Sequence, residues 1–159
     1  MSTGVKMITN WYSTNIDLNH LSQRLRIAYA LWIAESSPGN LPSLKQIQYS
    51  AHYEELSPYI AMIENQGDVK LPQFVILAAG SKVIELFGTE LAARKIDDVF
   101  TETGRSLVED VFDDLRNERK PVHCRVSGSP IISKDIEVMV MPLRHNNAAK
   151  ELALAVYDF

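Results

Sequence analysis

The stretch Gln73 to Phe100, QFVILAAGSKVIELFGTELAARKIDDVF, decides how the chain is read. It opens on an apolar run, Phe74 to Ala79, whose length and β-branched content predict a strand buried on both faces. Gly80 and Ser81 break that strand, and Ser81 is placed to cap a short helix over Lys82 to Phe87. Gly88 stands where this helix needs a left-handed residue to stop. Two helical pieces follow, Thr89 to Ala92 and Ile96 to Phe100, each too short to hold without a surface beneath it.

Downstream, Thr101 or Thr103 can cap the longest helix, which ends near Asn117 ahead of Pro121. Leu107, Val108, Val111, Phe112 and Leu115 share one of its faces, while Glu109, Asp110, Asp113, Asp114 and Arg116 face water. Three alternating strands come next. Val122, Cys124 and Val126 alternate with His123, Arg125 and Ser127; Ile136, Val138 and Val140 with Glu137, Met139 and Met141; Leu152, Leu154 and Val156 with Ala153, Ala155 and Tyr157. Ser127 to Pro130 begins the first connection and Arg144 to Lys150 forms the second.

Upstream, Tyr59 to Glu64 reads as a first strand, with Asn65 to Asp68 turning back to the central one. Pro58 restricts Ser57 to extended geometry. Before it, Leu44, Ile47 and Ala51 mark a short helix. From Asp17, a possible N-cap, Leu18, Leu21, Leu25, Ala28 and Trp32 draw an apolar stripe at spacings of three and four. Ile27, Tyr29, Leu31 and Ile33 add a second apolar surface, and Gln23, Arg24 and Arg26 stay wet. Such a helix is wide enough to lie on its own domain and also to meet a second copy or a partner. Residues 1–16 have no period and read as a loose arm.

Leu86-Phe87-Gly88, then Glu90 to Arg94 (ELAAR) and Ile96 to Phe100 (IDDVF), together with Leu56-Ser57-Pro58, resemble the middle of a PAS domain. More narrowly they are similar to the short stand-alone PAS proteins of alphaproteobacteria. Order and length of elements match from about Pro58 to Phe159. Ala93 departs from the pattern, which has glycine there, so this turn is expected to be more helical. The expected organisation is a loose arm (1–16), a helical N-terminal extension (17–57) and a PAS-like domain (58–159). The fold class is α+β, a five-stranded antiparallel sheet with helices on one face and an amphipathic helical extension. The resemblance implies the sheet order 2-1-5-4-3.

Between the long helix and the sheet lies either packed core or a small-molecule pocket. Its lining would be Phe100, Leu107, Val111, Cys124, Val126, Val138, Val140 and Leu154, and aliphatic walls describe both cases. His123 and Arg125 are a candidate contact for an anionic group, unless they pair with Glu137 or face solvent. The resemblance implies a sensor or signalling module. A haem sensor of this family carries a histidine on the long helix, and Glu102 to Arg119 has none. A flavin photosensor carries a reactive cysteine in an early helix, whereas Cys124 sits in a strand. No haem or flavin is therefore expected.

At 159 residues and 46% apolar content the chain can bury one good core. Its net charge of −4 offers no general attraction to phosphate backbones or anionic bilayers. Nucleic acid and membrane partners are not expected. No apolar run reaches membrane-spanning length. His20, His52, His123 and His145 never form a metal-ligand spacing, and the lone Cys124 has no second thiol nearby. No phosphate-cradling glycine loop or nucleophile elbow is present. The expectation is a cytoplasmic, non-enzymatic sensor, homodimeric, with a separate signalling protein as partner and output through Leu18, Leu21, Leu25, Ala28 and Trp32. The competing expectation is an interaction module with a solid core.

Overall fold

A computed structural model describes residues 9–127 and 135–159. The strands are β1 (Thr9–Ser13), β2 (Ile60–Asn65), β3 (Phe74–Ala79), β4 (Arg94–Lys95), β5 (Val122–Ser127), β6 (Ile136–Leu143) and β7 (Glu151–Asp158), of which β5, β6 and β7 carry the alternating apolar pattern. They join in one antiparallel sheet in the order β1-β5-β6-β7-β2-β3-β4. Five of them, β3-β2-β7-β6-β5, run in the 2-1-5-4-3 order that the resemblance implies. The other two sit on the edges. The connection expected to start at Ser127 to Pro130 falls mostly on residues outside those described.

Both faces of the sheet are covered, because every second residue on the inner strands is apolar on either side. On the first face lie α4 (Ser81–Phe87), α5 (Ile96–Val99) and α6 (Glu102–Glu118). Thr101 caps α6, its hydroxyl accepting from the Gly104 N–H. Val108, Val111, Phe112 and Leu115 of α6 are buried with Ile63, Val122, Cys124, Val140 and Ala155 of the sheet. On the second face lie α1 (Gln23–Glu35), α2 (Leu44–Gln48) and α3 (Tyr53–Leu56). Leu25, Ala28, Trp32 and Ile47 are buried there against Met139, Met141, Leu143, Leu154 and Val156.

Several expectations change. The loose arm contains β1, which pairs with β5 from Thr9↔Ser127 to Ser13↔His123. Its stability comes from backbone hydrogen bonds to an open edge, which leave no period in the side chains. Asp17 caps only the 3₁₀ turn Leu18–His20, and α1 starts one turn later with Ser22 as its cap. Arg24 is not wet: it pairs with Asp158 at 2.5 Å and its guanidinium lies 3.4 Å from the centre of the Tyr59 ring. These contacts tie α1 to the end of β7 and to the turn that enters β2. Ser57 is helical rather than extended, since Ser57–Tyr59 is a 3₁₀ turn. Gly80, not Ser81, occupies the cap position of α4.

Gly88 takes the left-handed conformation its position requires, with φ of 74°. Thr89 to Ala92 forms no regular helix. Ala93 does not relax into a helical turn either. It keeps a positive φ of 66°, held by a 2.7 Å hydrogen bond from its N–H to the Ile76 carbonyl. An L-residue pays about 1–2 kcal/mol for that conformation. Glycine removes this strain but loosens the unfolded chain by about 0.4–1 kcal/mol. Ala93→Gly is therefore expected to raise stability by about 0.5–1 kcal/mol in urea unfolding.

Candidate ligand cavity

The residues that face one another between α6 and the first sheet face do not close completely. They leave a cavity of about 130 Å³. Seven of the eight residues picked out for this space line it: Phe100, Leu107, Val111, Cys124, Val126, Val138 and Val140. Leu154 does not. Opposite residues in the β6–β7 pair are Met141 and Leu154, whereas Val138 meets Tyr157 and Val140 meets Ala155. Leu154 therefore points to the α1 face, and Ala155 and Tyr157 take the cavity side. Both faces of β7 are apolar, so its alternation gave no sign of which face was which.

One wall is aromatic. Phe87 and Phe100 stack with centroids 5.5 Å apart, and Tyr157 meets Phe87 edge-on at 6.2 Å. Gly104 lies against this wall, where an added Cβ would be 3.2 Å from the Phe100 ring. Thr103, which is exposed, brings the cavity to the surface. Phe87, Thr101, Gly104 and Tyr157 escaped the sequence reading because they come from a helix end, a cap and the misassigned face of a strand.

Burial pushes the Cys124 thiol up to about 12, so it stays protonated and is a packing group. Burial also raises the Tyr157 hydroxyl, and the neighbouring thiol adds to the effect. No charged side chain lines the cavity among the described residues.

The other candidates lie elsewhere. His123 is buried on the far side of β5, its ring nitrogen 2.8 Å from Glu137. Arg125 reaches the same carboxylate at 3.6 Å. Both therefore pair with Glu137, the alternative left open for them in the sequence. The acidic stretch of α6 is likewise occupied: Arg105 takes Glu109 and Arg116 takes Asp113. Asp114 is pushed up by partial burial and by Glu118, Asp110 and Asp113. Among the described residues no group of three or more His, Cys, Asp or Glu could hold a metal. No helix there is long and apolar enough to cross a membrane.

The stripe assigned to a partner is also mostly spent. Leu21, Leu25, Ala28 and Trp32 are buried against the chain's own sheet, and the Trp32 indole donates to the Pro142 carbonyl at 2.8 Å. Leu18 is half exposed, at 51%, and Ile33 at 49%. The stripe was the face the sheet needed.

An antiparallel sheet whose first face holds a cavity beneath a long helix and two short ones defines an α+β class. Within that class the chain belongs to the PAS domain family, whose model matches residues 19–157. The match takes in α1 to α3 as well as strands β2 to β7, and leaves out β1. Among solved structures, it is similar to the light-state dimer of the fungal blue-light photoreceptor Vivid, at 11% identity and a TM-score of 0.45, over 84% of this chain and 93% of that one. It is also similar to a fungal LOV domain photoreceptor linked to blue light and oxidative stress, at 18% identity and a TM-score of 0.45, over 98% of this chain and 96% of that one. No curated protein is similar enough to count as a match.

Proposed function

We propose that this chain is a regulatory PAS domain, without catalysis of its own, that senses a small apolar molecule in the α6 cavity and reports it through the α1 layer. One observation carries the reading: the same two strands serve both sides of the sheet. On β6, Val138 and Val140 line the cavity while Met139 and Met141 touch the α1 layer. On β7, Ala155 and Tyr157 alternate with Leu154 and Val156 in the same way. A ligand that displaces these strands also shifts the seat of α1, in proportion to its differential affinity for the two arrangements. Output then passes through the outer surface around Leu18 and Ile33, by contact between two copies or with a separate signalling protein.

A cavity of about 130 Å³ is close to the roughly 150 Å³ apolar cavity known to hold benzene. Among the described residues these walls offer carbon, two threonines, a thiol and a phenol, and no imidazole or side-chain amide for an iron or a polar ring edge, which supports the expectation of neither haem nor flavin. The buried single thiol suits a reducing, cytoplasmic setting.

Benzene titration tests the reading. Saturable binding is expected by ligand-observed NMR, and Val111→Phe should abolish it by filling the cavity. In a Trp11→Phe background Trp32 is the sole indole, and its emission should change on binding. Native mass spectrometry of the same samples reports whether two copies associate. A chain that ignores benzene has a solid core, and the interaction-module reading then replaces this one.

A further inference from the structure

The cavity contains a polar group that the fold does not use. Tyr157 is only 7% exposed, and its ring forms part of the cavity wall beside Phe87. Its hydroxyl makes no hydrogen bond with any described residue. A buried hydroxyl without a partner is costly, and such groups are rare in folded proteins. The other polar atoms do not share its position. Thr101 is engaged in capping α6, accepting from Gly104 at 3.2 Å, and Thr103 stands at the exposed mouth. Cys124 is the one neighbour deep in the cavity, and a thiol is only a weak donor.

Resting on the cavity reading above, we infer that the occupant is a neutral, monocyclic molecule of about benzene size carrying a single hydroxyl or carbonyl, and that this group hydrogen-bonds to the Tyr157 hydroxyl. Size sets the ring, since 130 Å³ leaves no room for a fused system. The carbon walls set its apolar body. With no Lys, Arg or His in the described lining, an ionised ligand would be buried without a counter-charge, so the ligand is neutral. The unpartnered hydroxyl sets the one polar substituent, because a site holding such a group discriminates against analogues that cannot meet it.

Phenol, benzene and benzoate are size-matched probes for calorimetric or NMR titration of the full chain. Phenol is expected to bind about tenfold tighter than benzene, the increment of one ordinary buried hydrogen bond, and benzoate not to bind. Tyr157→Phe should erase the preference for phenol and leave benzene affinity within about twofold, which also shows that the variant is folded. Equal binding of phenol and benzene to the wild type overturns the inference while leaving the cavity reading standing. So does a phenol preference that survives in Tyr157→Phe, as it would if an ordered water satisfied the hydroxyl. Benzoate binding as tightly as phenol overturns neutrality. Failure of both phenol and benzene to bind removes the cavity reading, and this inference with it.

Discussion

Gly80→Ala is expected to lower stability by about 4 kcal/mol or more, the range reserved for single changes that nothing nearby can absorb. Gly80 ends β3 at the point where the 3₁₀ turn Ser57–Tyr59 crosses beneath it. A Cβ there would overlap the Ser57 carbonyl oxygen and stand 2.5 Å from that of Pro58. These are backbone atoms, so no rotamer change relieves the overlap. Nor can the turn retreat. It leads straight into β2, and the Gly80 N–H donates to the Ile60 carbonyl at 2.8 Å. Gly88→Ala is the matched control, with open space around its Cβ but a φ of 74°. Its cost should stay near 1–2 kcal/mol, that of left-handed backbone alone. Urea unfolding of the two variants separates them. A Gly80→Ala protein within 1 kcal/mol of the wild type would show that the turn moves freely, contrary to the packing described.

Asn65→Ala is expected to cost about 3 kcal/mol, from several buried hydrogen bonds lost together. Asn65 ends β2 and is 1% exposed. Its carbonyl accepts from the Gly67 N–H at 3.0 Å and the Gln73 N–H at 2.9 Å, which closes the loop between β2 and β3. Its amide donates to Glu151 at 2.9 Å. Glu151 in turn receives a two-pronged contact from Arg116, at 2.7 and 2.9 Å. One amide therefore joins the loop, the start of β7 and the last turn of α6. Asn65→Asp keeps an acceptor for both N–H groups but sets a carboxylate against Glu151, so it should fall between the wild type and alanine. An aspartate variant worse than alanine would mean that the link to Glu151, rather than the loop, dominates. Hydrogen exchange at Gly67 and Gln73 reads the loop separately from global unfolding.

The contrast between Gly80 and Gly88 shows what one-dimensional reading can and cannot reach. Gly88 was legible because its requirement is local: a helix must stop, and the residue after it turns left-handed. Gly80 was legible only as a strand breaker, because its real constraint comes from Ser57, distant in sequence. The α6 side of the cavity was legible for the same local reason, since Leu107 and Val111 follow from helical spacing. Leu154 was misplaced because both faces of β7 are apolar, and a shift of one residue exchanges them. β1 left no trace, as a strand held by backbone pairing needs no side-chain pattern. Tyr157 was read simply as an alternating residue; only the surrounding walls reveal its unused hydroxyl.

The pairing of β1 with β5 also bears on the order in which the molecule assembles. The hairpin of β2 with β3 and the run from β5 to β7 join segments close in sequence, so their closure is quick. β1 must wait for a partner more than a hundred residues away, and α1 for β6 and β7. During synthesis from the N-terminus, the first elements made are thus the last to find their places. Until β6 and β7 emerge, the stripe of Leu25, Ala28 and Trp32 lacks the Met139, Met141, Leu154 and Val156 face that covers it, and the nascent chain carries that surface throughout.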